Sequence, residues 1–236
     1  MKGNGRYDVA FEVAGPLAMF SRPDTGGTPT SYPAPTWSAA KALFESIAFF
    51  ADGAAWICPT KVGICRRIGE PGGRVSVQRY TTNYGGPLRK ADLFNKGPIA
   101  GGSSMQLFAT VLHSVCYRLH GVIVGAQNGR QNNPRHHLQD LFYRRLRRGQ
   151  CFRTPCHGWS EFTCSYWGPF RDAMTEVDDA LTREIPSMLL HVWSDPENGQ
   201  YAPVFCQSIR IEAGVLEYPF STQHLEELAR KESSDA

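Results

Sequence analysis

No run of apolar residues in the 236-residue chain approaches the ~18 that a membrane-spanning helix needs. No apolar stretch follows Met1–Arg6 in the manner of a secretory leader. A cytoplasmic protein without membrane contact is therefore expected. The chain has no G-x-x-x-x-G-K-[ST] loop, no H-E-x-x-H and no G-x-S-x-G. Nucleotide hydrolysis, zinc proteolysis and α/β-hydrolase chemistry lose their usual carriers. Internal repeats are also lacking. The seven cysteines are scattered, with no paired C-x-x-C. Cys151, Cys156 and Cys164, with His157 among them, read first as small buried hydrophobes in a reducing compartment and second as a zinc set. No metal and no cofactor is expected.

Hydrophobic residues make up 42% and charged residues 20%, which suits a packed globular chain. The net charge is only +3, but it is unevenly placed. From Arg135 to Arg153 there are six arginines (135, 144, 145, 147, 148 and 153) against one acid, Asp140. A basic stretch on a nearly neutral protein points to a local polyanion site. Its competing reading is a solvated helix face with arginines near its C-terminus, where they complement the helix dipole.

The periodicities predict an α+β fold. Tyr7, Val9, Phe11 and Val13 alternate with Asp8, Ala10, Glu12 and Ala14, a half-buried strand that Gly15-Pro16 should end. Ala40, Leu43, Phe44, Ile47 and Ala51 recur at helical spacing after Thr36, a good N-cap, with Lys41 off the stripe. Residues 56–65 read as a strand with Pro59 at an edge or bulge. Segment 69–102 is rich in Gly and Pro and carries Arg79 and Tyr80; it reads as a protruding hairpin, with Tyr80 suited to stacking on bases. A second helix is expected from Ser103 or Ser104, with Leu107, Val111 and Val115 inward, and then a strand over 117–125. Asn133-Pro134 starts a third helix with Leu138, Leu141, Phe142 and Leu146 buried, stopped at Gly149. Residues 165–187 read as irregular, and 189–193 and 204–211 as strands. The order is compatible with a split β-α-β core, a topology that hosts many functions.

Several short segments, in order, resemble the fifth CRISPR-associated protein family in its type I-C form. They are Ala18-Met19-Phe20-Ser21-Arg22-Pro23; Ser31-Tyr32-Pro33 through Lys41 to Phe44-Glu45-Ser46-Ile47; the basic pair Arg66-Arg67; and Arg135-His136 through Arg148-Gly149-Gln150-Cys151-Phe152 to Glu161-Phe162. Met188-Leu189-Leu190 and Gly214-Val215 complete the run, so that the resemblance extends from about residue 9 to about residue 219.

The resemblance implies one RAMP-type, ferredoxin-like (RRM-type) domain over 1–220, a hairpin insertion at 69–102, a C-terminal extension and a charged tail over 221–236. It implies capping of the crRNA 5′ handle within the Cascade effector, beside backbone and large subunits, with target DNA met only through the complex. In that family the precursor guide RNA is cut without metal, using a tyrosine at the end of the first helix and a Lys-His pair before the third. Here the tyrosine position is Ala48, the lysine position is Arg135, and the histidine remains as His136. The resemblance therefore marks Arg135 and His136 for catalysis, and Arg22, Lys41, Arg66, Arg67, Arg79, Tyr80, Arg144, Arg145 and Arg148 for RNA binding. Three readings stay open at this point: a structural guide-RNA-binding subunit, a metal-independent repeat-specific endoribonuclease, and a free-standing RNA-binding domain outside CRISPR.

Overall fold

A computed structural model describes residues 7–84, 105–125, 133–194 and 201–219. Segment 85–104, the greater part of the expected insertion, and the tail after 219 lie outside the described residues.

Strand β1 (Asp8–Ala18) buries Val9, Phe11 and Val13, as its alternation requires. Gly15 does not end it. The strand runs on, and a Cβ at Gly15 would lie 2.8 Å from the His157 ring. Glycine is there for close approach, not for a turn. Helix α1 (Trp37–Ile47) begins at Thr36, whose hydroxyl accepts from the Ala39 amide at 3.2 Å. It buries Trp37, Ala40, Leu43, Phe44 and Ile47. Strand β2 (Ala55–Arg67) follows, with its register shift between Pro59 and Lys61, as a proline without an N–H demands.

The expected helix after Ser104 does not exist. Strand β3 (Ser76–Tyr84) and strand β4 (Met105–Gly125) form an antiparallel ribbon, and β4 continues without a break through the strand expected at 117–125. Leu107, Val111 and Val115 are spaced by four, which is a multiple of the strand period as well as one helical turn. Tertiary pairing decides between the two, because β4 finds β3, β1 and β2 as neighbours. Helix α2 (Pro134–Arg148) has the anticipated ends. Asn133 Oδ1 accepts from the Arg135 amide at 3.1 Å, and Gly149 closes the helix at φ 63°.

The stretch 165–187 is more regular than its sequence suggests. It holds β5 (Tyr166–Gly168) on β1, β6 (Thr175–Val177) on β2, and the start of β7 (Arg183–Ser194). β7 pairs with β8 (Tyr201–Glu212), and β9 (Val215–Glu217) joins β8 to β2. The resulting mostly antiparallel sheet runs β5-β1-β4-β2-β9-β8-β7.

Both helices cover the β1 face that bears Phe11. Its ring lies 5.0 Å from Phe44 of α1 and 5.5 Å from Phe142 of α2. The neighbouring residue, Glu12, is fully buried on the other face. There it accepts from Arg171 Nε at 2.6 Å, Thr175 Oγ1 at 2.8 Å and Arg118 Nε at 3.3 Å. Burial pushes its carboxyl pKa upward, but the hydrogen bonds from Arg171 and Thr175 outweigh burial and leave the pKa below its ordinary value. The cluster ties β1 to β4 and β6 and spends Arg118 and Arg171 on the fold.

Candidate nucleic-acid interface

The buried row of α2 is Leu138, Phe142 and Leu146. At about 100° per residue, the opposite side of the helix carries His136, Asp140, Arg144, Arg147 and Arg148, and all five are exposed. Arg147 diverges from Arg148 but is three residues from Arg144, so it joins this outward stripe. Among the described residues Arg144, Arg147 and Arg148 have no ion-pair partner. The stripe is therefore cationic toward one end and carries an imidazole at the other, about 12–18 Å away at 1.5 Å per residue. Arg145 points elsewhere. Its NH1 donates to the Ile47 carbonyl at 2.8 Å, capping the C-terminal end of α1.

At the N-terminal end of α2 the structure adds a residue that sequence reasoning assigned only to the strand. Tyr7 lies just before β1, and its hydroxyl accepts from Asn133 Nδ2 at 2.8 Å. The Arg135 guanidinium stands over the Tyr7 ring, 5.1 Å from its centroid. The His136 ring meets the Tyr7 ring edge-on at 6.3 Å. His136 Nε2 faces Asp140 Oδ2 at 3.4 Å, with both side chains about two-thirds exposed. Arg135 is half-buried, and its Nε has no hydrogen-bond partner. His137 turns away onto Phe50, 5.3 Å between rings. No local signal links Tyr7 with His136; the chain separation is too long for any periodicity to reveal.

The other candidates are dispersed, and most are engaged. Arg22 forms a bidentate pair with Asp24 at 3.0 and 2.6 Å. Lys41 is half-buried, ion-paired with Glu45 one turn on, and lies 5.5 Å from the Trp56 ring. Arg66 pairs with Glu176 at 2.7 Å and Arg67 with Glu70 at 3.0 Å. The Tyr80 hydroxyl donates to Glu161 at 3.0 Å, and its ring packs on Phe162 at 5.1 Å. Burial and the Glu161 carboxylate raise its pKa. Arg79 stays exposed on β3. Ala48 is 1% exposed within the core. Beside it, Phe49 and Phe152 form an exposed aromatic pair 5.7 Å apart.

The cysteine-histidine group behaves as packing. Cys164 Sγ sits 3.3 Å from His157 Nε2. Burial pushes that thiol up to about 12 and the imidazole down to about 4, so both are neutral. Among the described residues no His, Cys, Asp or Glu group is arranged to hold a metal ion, nor is any helix long and apolar enough to cross a membrane.

Comparison with known proteins places these features in a lineage. The family model described as CRISPR-associated protein (Cas_Cas5) matches residues 8–202. The CRISPR pre-crRNA endoribonuclease Cas5d of Mannheimia succiniciproducens is 25% identical over 166 residues, 67% of this chain and 71% of that protein. A crystal structure of a CRISPR-associated protein superposes with a TM-score of 0.61 at 15% identity, covering 92% of this chain and 93% of the other. The functionally uncharacterized protein SMU1763c from Streptococcus mutans superposes with a TM-score of 0.59, also at 15% identity, over 90% and 92%. The two superpositions speak for the fold, and the family match over most of the sequence speaks for descent: this chain belongs to the Cas5 family of CRISPR-associated proteins.

Proposed function

We propose that this protein is the guide-RNA-binding subunit of a type I CRISPR (Cascade) effector complex, where it caps the crRNA 5′ handle. The observation that carries this reading is the outward stripe of α2. Three arginines with no ion partner among the described residues and an exposed histidine share one helix side, and the exposed Phe49–Phe152 pair lies near its C-terminal end. Arginines hold phosphates without regard to sequence, and exposed aromatic rings suit unstacked bases. Of the other candidates, Arg79 is exposed and free to add to such a surface, whereas Arg22, Lys41, Arg66, Arg67 and Tyr80 would have to give up their present partners.

The fold supports the same reading. Strands β5-β1-β4-β2 with α1 after β1 and α2 after β4 follow the ferredoxin-like order, and we read residues 1–220 as one such RAMP-type domain. With the family membership, this reading carries the partners proposed for it: the crRNA or its precursor, the Cascade backbone and large subunits, target DNA only through the complex, and a cytoplasmic setting.

A second reading, metal-independent cleavage of the repeat RNA, is favoured by the Arg135–His136 arrangement at the N-terminal end of α2 and by its relative, a pre-crRNA endoribonuclease. The ribose 2′-OH would attack its own phosphate, with His136 moving a proton and Arg135 holding the phosphorane oxygens.

One experiment tests both. Purified protein is titrated with its own repeat RNA in EDTA, and any products are end-analysed. Binding, with a 2′,3′-cyclic phosphate and a 5′-hydroxyl lost on His136→Ala, is the expected result. Absence of binding refutes the first reading. Cleavage that survives His136→Ala, or that needs a divalent metal, refutes the second; no cleavage leaves a structural cap.

A further inference from the structure

The cluster at the N-terminal end of α2 has assignable hydrogen-bond directions. Asn133 Oδ1 accepts from the Arg135 amide, which fixes the amide orientation and leaves Nδ2 to face the Tyr7 hydroxyl. An amide nitrogen can only donate, so the Tyr7 oxygen is the acceptor and the phenol keeps its own hydrogen. Tyr143 differs: its hydroxyl donates to the Asp8 carbonyl at 3.3 Å, so its hydrogen is already spent. On the other side, Asp140 can only accept when ionised. Its carboxylate, 3.4 Å from His136 Nε2, favours the tautomer with the hydrogen on Nε2, which presents Nδ1 as a lone pair. The Arg135 guanidinium stands above the Tyr7 ring, and the His136 ring meets that same ring edge-on.

The arrangement holds one group with a proton to give, one with a lone pair to take a proton, and a fixed cation. Displacement at phosphorus puts the attacking and leaving oxygens on opposite sides, so two separate proton-transfer groups must flank one phosphate. Resting on the cleavage reading above, we propose that Tyr7 is the general acid of that reaction. His136 Nδ1 takes the proton of the ribose 2′-OH as the 2′ oxygen bonds to phosphorus. Arg135 steadies the phosphorane. The bond from phosphorus to the 5′ oxygen then breaks as Tyr7 gives that oxygen its proton. The products are a 2′,3′-cyclic phosphate and a 5′-hydroxyl. The phenolate, held by the Asn133 N–H and the Arg135 charge, regains a proton from solvent, and the imidazolium releases one.

The test uses the whole protein with two repeat RNAs, one natural and one carrying sulfur in place of the 5′ bridging oxygen at the cut. Sulfur leaves without being protonated. Tyr7→Phe keeps the ring under Arg135 and removes only the hydroxyl. On natural RNA it should lower the single-turnover rate by about 10²–10⁴-fold, with binding unchanged. On the sulfur substrate it should match the wild type, whereas His136→Ala should stay slow on both. A Tyr7→Phe variant that cuts natural RNA at the wild-type rate, or stays slow on the sulfur RNA, overturns the assignment while leaving the cleavage reading intact. Wild-type protein that cuts neither RNA overturns the cleavage reading and the Tyr7 assignment together. Replacing Tyr7 with 3-fluorotyrosine gives an independent measure that spares the hydrogen bond to Asn133. The more acidic phenol should move the alkaline limb of the pH–rate profile to lower pH, and an unmoved limb also overturns the proposal.

Discussion

Arg144 and Arg148 are exposed on α2, without an ion partner among the described residues, whereas Arg145 is held by the Ile47 carbonyl. That contrast makes a quantitative expectation possible. Each arginine that neutralises a phosphate of single-stranded RNA releases condensed counterions and contributes about −0.7 to the slope of log K against log salt. Changing Arg144 and Arg148 together to Ala should make the slope shallower by about 1.4. Between 50 and 200 mM salt, a fourfold change, wild type should then lose about sevenfold more affinity than the double variant. The measurement is a fluorescence-anisotropy titration of labelled repeat RNA at four salt concentrations. Arg145→Ala serves as the control: it removes a charged hydrogen bond and should lower stability by about 1.5–3 kcal/mol, read by denaturant unfolding. A double variant with the wild-type slope would show that the stripe is merely solvated and would remove the observation on which the RNA-binding reading stands.

Three further outcomes follow from the core. His157 has its pKa depressed by burial to about 4, so the unfolded chain binds a proton first; stability should be full above the ordinary histidine pKa of about 6.5 and fall by about 3 kcal/mol on acidification to pH 4. Urea titrations across that window should show the slope in wild type, and its persistence in His157→Gln would refute the assignment to this residue. Ala48→Tyr, which would restore a hydroxyl at the family position, should instead destabilise by about 1–3 kcal/mol because Ala48 is buried; a raised cleavage rate at unchanged melting temperature would contradict this. Gly158 sits at φ 87°, and a Cβ there would lie 1.8 Å from the Met19 carbonyl oxygen. Gly158→Ala should cost about 3 kcal/mol or more in thermal unfolding, and a wild-type melting curve would show that the backbone can relax.

The local signals in this chain were sufficient wherever a structure is closed by its own neighbours. Thr36, Asn133, Pro134 and Gly149 mark the ends of α1 and α2 because capping is a matter of adjacent side chains and backbone donors. The alternation of β1 and the bulge at Pro59 are equally local. The basic stripe of α2 was legible too, since helical geometry alone places Arg144 and Arg148 opposite Leu138 and Phe142. Pairing between distant segments had no such signature. β4 has a spacing that fits either a helix or a strand, and three partner strands chose between them. Gly15 looks like a stop but is a gap for the His157 ring. The site divides in the same way. Sequence singled out Arg135 and His136, but only the tertiary structure could set Tyr7 beside them, or engage Arg66 and Tyr80 with Glu176 and Glu161. Whether a cation is free to meet phosphate depends on which carboxylate lies within 3–4 Å. For Arg22, Lys41 and Arg67 that carboxylate is two to four residues away, within reach of local reading. For Arg66 the carboxylate comes from a strand far along the chain, so no window of sequence contains it.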